Sequence, residues 1–418
     1  MIKTIMKLVF VGGCLLALST GFLSPQSHVN AQADTGADRP LLMAHYMPWY
    51  QTPTISGYWG WHWTMDHFNP TQHDAGGNPQ IAAHTMPLTG PYDSSDPAIL
   101  EYQTLLMKLS GIDGVIVDWY GVADFRDYAT LNAATVHLFN AIQRAGLRFI
   151  ICYEDQTVRH MVDEDYITLD QAQARAHEDM AFMQENWFAS DAYVKYNGQP
   201  LLFVYGPQYF RTPDDWDGIF AGLDVAPLLV TLDGHMDWAA FSSFPWPPMH
   251  LAGGITLPPS VLDSYLGLFY RNTARLDYRV ASAFPAFDDV YQDAGVRSTY
   301  GDIEPQDGET LRHTLDLALA ADSQIIQLVT WNDYGEGTII EPTQEFGYQY
   351  LEIVQNTRRT LSADFSATPD DLRLPLALYS LRTSHAGDAA INAQLDDAYT
   401  ALIAGDTAAA AGLIQSLQ

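Results

Sequence analysis

Basic residues and cysteines are both scarce in this chain. Twenty Lys and Arg stand against fifty Asp and Glu among 418 residues, a formal net charge of -30. So acidic a surface repels nucleic-acid phosphates and anionic membrane faces, which removes both as partners. It also disfavours strongly anionic polysaccharides, and it is compatible with simple solubility, including in salty surroundings. There are two cysteines. Cys14 lies in the amino-terminal segment, so the remaining chain has only Cys152 and can form no internal disulfide. Cys152 sits in the apolar run Phe149-Ile150-Ile151-Cys152-Tyr153 and reads as a buried structural thiol. Tandem repeats, low-complexity linkers and compact zinc spacings are all lacking, and no glycine-rich phosphate loop follows the first strand-like run, which removes support for nucleotide-binding folds.

The one long apolar stretch is amino-terminal. Lys3 and Lys7 precede a run from Leu8 to about Leu23, and Ala31-Gln32-Ala33 has the form that signal peptidase accepts. Residues 1–33 are therefore expected to be a secretory signal, with the protein secreted to the periplasm or the exterior. Val11-Gly12-Gly13-Cys14 offers lipoprotein anchoring as an alternative. No later segment has ~18 consecutive apolar residues, so the mature form is expected to be soluble, without a membrane span, and a monomer.

The body, residues 34–361, alternates short apolar runs with helical patterns. The runs are Leu41–Tyr46, Gly114–Trp119, Arg148–Glu154, Pro200–Tyr205, Pro227–Asp233, a weaker one over His250–Ile255, Arg279–Phe284 and Gln324–Trp331. They are nearly continuous in branched and aromatic residues, the pattern of parallel strands buried on both faces. Helical patterns cover Pro97–Ser110, Leu131–Ala145, Asp170–Asn186, Pro259–Arg275 and Gly308–Ala321. Eight such units predict an α/β fold, a (β/α)8 TIM barrel, with an open doubly wound sheet as the structural rival. Residues 362–418 read as a small helical appendage, with helices over Leu372–Arg382 and Ala389–Gln418.

In such a barrel ligands meet the carboxyl ends of the strands. Those ends carry His45 and Tyr46, Asp118, Trp119 and Tyr120, Tyr153, Glu154 and Asp155, Tyr205, Asp233, and Trp331 and Asn332. Aromatic faces suit sugar C–H surfaces, and carboxylates and amides suit sugar hydroxyls. The long loop after the first strand, residues 47–96, adds Trp49, Tyr50 and His62; loops this long in a compact domain are usually functional. Asp333 and Glu336 follow the eighth strand, and three residues of chain span at most ~10 Å, so both carboxyl groups can face one sugar ring. Glycoside cleavage needs such a pair, one group to protonate the departing oxygen and one to assist attack. Helix capping by Asp333 with Glu336 solvated is the bland alternative. Glu341 reads as a helix cap ahead of a substrate contact, and Asp288 and Asp289 as solvated turn carboxylates. No metal site and no cofactor is expected.

Trp331-Asn332-Asp333-Tyr334-Gly335-Glu336 resembles the catalytic segment of glycoside hydrolase family 71, the α-1,3-glucanases. Its continuation, Gly337-Thr338-Ile339-Ile340-Glu341-Pro342, resembles family 99, the endo-α-mannosidases and endo-α-mannanases. His45-Tyr46-Met47-Pro48-Trp49-Tyr50, Gly111–Gly121 and Phe284–Asp289 are similar to segments of the same two families, so the resemblance spans about residues 40 to 358. It implies an endo-acting hydrolase of α-mannan or α-glucan. Glu336 would be the acid. Asp333 would act on the sugar 2-hydroxyl, as the family 99 glutamate does, or on a water, as in family 71. Asp333 is one methylene shorter than that glutamate, and Tyr334-Gly335 replaces the usual Trp-His pair. Two readings from other classes stay open: a carbohydrate-binding protein on a decayed hydrolase fold, and a metal-dependent hydrolase or deacetylase.

Overall fold

A computed structural model describes residues 39–235 and 240–418. The expected leader and Cys14 lie outside the described residues. Eight strands form one parallel sheet: β1 (Leu41–Tyr46), β2 (Gly114–Trp119), β3 (Arg148–Tyr153), β4 (Gln199–Val204), β5 (Leu228–Leu232), β6 (Ser242–Phe244), β7 (Val280–Ala283) and β8 (Ile325–Leu328). The spatial order is β6-β5-β4-β3-β2-β1-β8-β7, with β1 pairing both β2 and β8. Two side chains bridge the seam between β6 and β7. Ser242 Oγ donates to the Tyr278 carbonyl at 2.7 Å, and Ser282 Oγ donates to that of Pro245 at 2.6 Å. The sheet is thus a nearly closed (β/α)8 barrel.

The sixth strand differs from the sequence reading. It is Ser242–Phe244, and His250 falls instead in a short 3-10 turn over Met249–Leu251. Residues 233–241 join β5 to β6, fewer than the dozen or so that a helical crossover takes. The five expected helical spans are helical, and helices at Pro213–Phe220 and Gln349–Leu361, which the sequence pattern did not single out, join them. They are α1 (Pro97–Ser110), α2 (Tyr128–Ala145), α3 (Ala172–Met183), α4 (Pro213–Phe220), α5 (Pro259–Thr273), α6 (Glu309–Ala320) and α7 (Gln349–Leu361). The Asp96 carboxylate accepts the Ala98 N–H and starts α1, whose first residue is proline.

Strand parity sorts every side chain into one of two apolar layers. Leu41, Met43, Ile116, Ile150, Cys152, Leu201, Phe203, Val230 and Ile325 fill the barrel interior. Their neighbours Leu42, Ala44, Val115, Val117, Phe149, Ile151, Leu202 and Ile326 face the helices. Cys152 is a free, buried thiol.

The carboxy-terminal segment is helical: α8 (Leu374–Ser384), α9 (Ala389–Ala404) and α10 (Thr407–Leu417). The single helix expected over Ala389–Gln418 is two, broken at Gly405. Leu378, Leu395, Leu402 and Ile414 share the outer apolar layer with barrel residues. Arg382 also holds Glu101 of α1 through two hydrogen bonds of 2.8 and 3.1 Å. The appendage therefore braces the helical shell. Among the described residues, no helix is long and apolar enough to cross a membrane.

Candidate active site

The same parity decides which strand-end residues reach the barrel mouth. His45, Asp118, Glu154 and Tyr205 continue the inward rows of β1 to β4. Tyr46, Trp119 and Trp331 belong to the outward layer and are fully buried under the helices. Tyr46 donates its hydroxyl to Gln103 Oε1 at 2.7 Å, and Trp119 donates its indole N–H to Asn132 Oδ1 at 3.1 Å. These three side chains contribute packing and do not line the cleft.

The segment after β8 folds into a braced turn. Thr330 Oγ1 accepts the Asp333 N–H at 2.8 Å, and Asp333 Oδ1 accepts the Glu336 N–H at 3.0 Å. The Glu336 and Gly335 carbonyls accept the Asp288 and Val290 N–H groups, which fixes the turn to the segment after β7. Gly337 makes this approach possible. Its φ is +68°, and a Cβ there would lie 2.7 Å from the Asp288 carbonyl oxygen. Asn332 is buried and holds the first loop: Oδ1 accepts the Met47 N–H at 2.8 Å, and Nδ2 donates to the Met47 carbonyl at 3.0 Å. Tyr50 donates to the Asn332 carbonyl and accepts the Tyr334 N–H. Asn332, Tyr50 and Tyr334 therefore build the loop's frame.

Glu341 is the centre of that frame. It is neither a cap nor solvated, being 2% exposed. Its Oε2 accepts from Tyr92 at 2.8 Å and Tyr334 at 2.9 Å, and its Oε1 from Gln103 Nε2 at 2.7 Å. Burial raises its pKa to about 7, against the pull of those donors.

Four carboxyl groups meet at the mouth. Glu336 is raised well above the ordinary range, first by burial and then by the Asp333 charge, with Arg297 opposing. Asp333 is raised by burial to about 7, opposed by the N–H groups of Glu336 and Gly335. Burial lifts Glu154 to about 8, and lifts Asp118 strongly, with the Glu154, Asp333 and Glu336 charges adding to the latter. His45 is pushed by burial to about 3 and is neutral. A proton on Glu336 beside an ionisable Asp333 is the division of labour that acid–base cleavage requires. Asp333 does stabilise the turn, as the capping reading expected, and it does so from within the carboxylate cluster.

Two cavities flank this cluster. One, of about 360 Å³, is bordered by Tyr205, Trp246, His250, Tyr265, Tyr300 and Glu336. The other, of about 480 Å³, is bordered by Gln51, Trp61, His62, Tyr120, Tyr128 and Glu154. A third cavity, of about 510 Å³ at Arg39, Lys108 and Arg358, lies beside Gly111 and Gly146, which precede β2 and β3, at the opposite end of the barrel from the carboxylates. Trp49 stacks on the partly buried His62 with ring centroids 4.1 Å apart and stands 6.3 Å from Tyr120.

Sequence reasoning missed several neighbours of Glu336. Trp246 packs edge-on against both His45 and Tyr205, and its indole opposes the rise of the Glu336 pKa. It follows the strand that was misplaced. Asp289 is buried rather than solvated, accepts from Tyr300 and Thr299, and pairs with Arg297 at 3.5 Å. Asp288 is exposed and meets His84 of the first loop at 2.9 Å; that hydrogen bond, with Asp293 adding, raises His84 to about 9. No group of three His, Cys, Asp or Glu that could hold a metal ion occurs among the described residues.

A (β/α)8 barrel with clustered carboxylates at its strand ends, aromatic walls and flanking cavities is an arrangement suited to glycoside cleavage. Comparison with known proteins agrees. The family model described as glycosyl hydrolase family 99 matches residues 39–227. The chain is 23% identical over 366 residues to a glycoprotein endo-alpha-1,2-mannosidase-like protein of Danio rerio, covering 77% of this chain and 76% of that one. It is 23% identical over 362 residues to the uncharacterized protein WxcX of Xanthomonas campestris pv. campestris, covering 77% of this chain and about half (49%) of that one. A solved GH99 endo-alpha-mannosidase from Bacteroides thetaiotaomicron superposes with a TM-score of 0.55 at 16% identity, over 77% of this chain and 98% of that one. The chain thus resembles glycoside hydrolases of the family 71/99-like grouping in sequence and in fold.

Proposed function

We propose that this protein is an endo-acting hydrolase of α-linked mannan or glucan, working outside the cytoplasm, with Glu336 as acid and Asp333 as base. The observation that carries the reading is the position of Glu336. It is partly exposed on the wall of one cavity, beside Asp333, and its proton is held by burial and by that neighbouring charge. Cavities on both sides of the carboxylates suit a chain cleaved internally. The likeness to the mannosidase-like relative and to the Bacteroides endo-alpha-mannosidase supports the α-mannoside half of the reading.

The chemistry follows from these placements. Glu336 gives its proton to the departing glycosidic oxygen as the C–O bond breaks. Asp333 takes a proton from the attacking group, and then Glu336 is left as carboxylate. Asp333 has a short side chain whose Oδ1 is tethered to the Glu336 N–H. The tether holds the carboxylate back toward its own loop and leaves Oδ2 for a water, so inversion at the anomeric carbon is the expected outcome. Asp118, Glu154, His45 and Tyr205 would bind hydroxyls, with Trp49, His62 and Tyr120 beside them. The frame residues Tyr46, Tyr50, Trp119, Trp331, Asn332 and Tyr334 would act by holding these groups in place. Product analysis on α-mannan and α-1,3-glucan, with anomeric configuration followed by NMR, tests the reading. Internal cleavage with inverted products is expected. No cleavage of any α-glycan refutes the activity, and retained configuration refutes the role given to Asp333.

A further inference from the structure

We propose that the cavity on the Glu154 side is a distal subsite for a neutral sugar unit of the substrate chain, with Trp61 and Tyr58 as its stacking platform and Gln51 as its hydrogen-bonding group. This rests on the glycosidase reading and adds to it the length and charge of the glycan.

Three observations converge. First, Trp61 is 39% exposed and Tyr58 is 46% exposed, and both border the same cavity. Large aromatic faces are costly to leave in water. Trp61 is also held in place: it stands edge-on to His62 with centroids 5.0 Å apart, and His62 is stacked on Trp49. A fixed aromatic face loses little freedom when a sugar ring lies on it.

Second, Gln51 also borders the cavity, is 2% exposed, and its Nε2 has no hydrogen-bond partner. A buried donor left unpaired is unfavourable, and a sugar hydroxyl would satisfy it. The backbone makes room for this amide. A Cβ on Gly60 would lie 2.1 Å from Gln51 Oε1, so the position beside it is kept bare.

Third, the charges at the cavity select against anionic sugars. Arg126 borders the cavity but is paired with Glu164, and the Asp127 carboxylate faces the same space; Glu154, raised by burial to about 8, is a protonated hydrogen-bonding group near neutral pH. A uronate or a phosphorylated sugar would meet the Asp127 carboxylate with the bordering guanidinium already engaged. A neutral hexose meets aromatic faces and hydrogen-bonding groups.

The test compares wild type with Trp61→Ala and Trp61→Phe on a ladder of α-linked oligosaccharides and on the parent polymer. Trp61→Ala is expected to lower the ratio of kcat/KM on long chains to that on the shortest cleaved chain by about tenfold, mainly through KM, with Trp61→Phe restoring part of it. An equal loss at every chain length, or no loss at any, would overturn the proposal. Affinity electrophoresis of the same polymers with Glu336→Gln and with Glu336→Gln carrying Trp61→Ala separates binding from activity. Retardation that weakens when Trp61 is removed supports the subsite even if no polymer is cleaved. Equal retardation, or none with either protein, overturns it.

Discussion

Replacing Glu341 by glutamine gives a stability change whose size depends on pH. The carboxyl group is buried among Tyr92, Tyr334 and Gln103, and its pKa lies at about 7 instead of 4.5. That difference corresponds to about 3 kcal/mol against the charged form in the folded protein. The folded state holds this proton more tightly than the unfolded chain does. Its contribution to stability is therefore greatest below about pH 4.5 and declines as pH rises toward 7. Glu341→Gln has no such proton and keeps the shape. Its amide oxygen accepts from the two tyrosines, and the Gln103 amide turns over to accept its N–H group, its own N–H then donating to the Tyr46 hydroxyl in place of the bond Tyr46 makes to Gln103 Oε1. At pH 5 the variant is expected within about 1–2 kcal/mol of wild type, the worth of these two altered hydrogen bonds. By pH 8 it gains about 2–3 kcal/mol relative to wild type as the buried charge is avoided. Urea unfolding at the two pH values measures this directly. An identical difference at pH 5 and pH 8 would refute the reasoning. Because Glu341 does not border either cavity, kcat is expected to stay within about tenfold of wild type. A far larger loss at unchanged stability would place Glu341 in the chemistry.

Three other outcomes are expected. Gly337→Ala forces a Cβ to 2.7 Å from the Asp288 carbonyl at a φ of +68°; it should destabilise by about 1–3 kcal/mol and lower kcat by moving Glu336, and a fully active, stable variant would contradict the packing. The pH profile of kcat/KM should rise as Asp333 ionises at about 7 and fall as Glu336 loses a proton held well above the ordinary carboxylate range. The optimum then lies near or above neutral, its limbs belonging to the pair; an optimum in the ordinary carboxylate range contradicts this. The Cys152 thiol is buried and its pKa raised, so thiol reagents should label it only under denaturing conditions.

Much of the barrel was legible because buried parallel strands have a local signature. Leu41–Tyr46 and Gly114–Trp119 appear with the bounds the sequence suggests. The sixth strand was not legible, since Ser242-Ser243-Phe244 is short and polar and follows β5 after residues 233–241 alone; Trp246, just beyond it, was missed for the same reason. The site was legible in its carboxylates and less so in its aromatics. A period-two count along β1, β2 and β3 places Asp118 and Glu154 inward and Tyr46 and Trp119 outward, and proximity to a strand end does not replace that count. Glu341 was beyond local reading. Its partners Tyr92 and Gln103 are about 240 residues away in the chain, and only tertiary packing joins them.

The assignment of Glu336 as acid is tested most directly by kcat/KM of Glu336→Gln on two substrates of the same sugar. One carries a natural glycosidic leaving group, and the other a fluoride that departs without protonation. A loss of about 10²–10⁴-fold on the glycoside with a much smaller loss on the fluoride is the predicted result. Equal losses on both substrates, or full activity on the glycoside, would contradict the account.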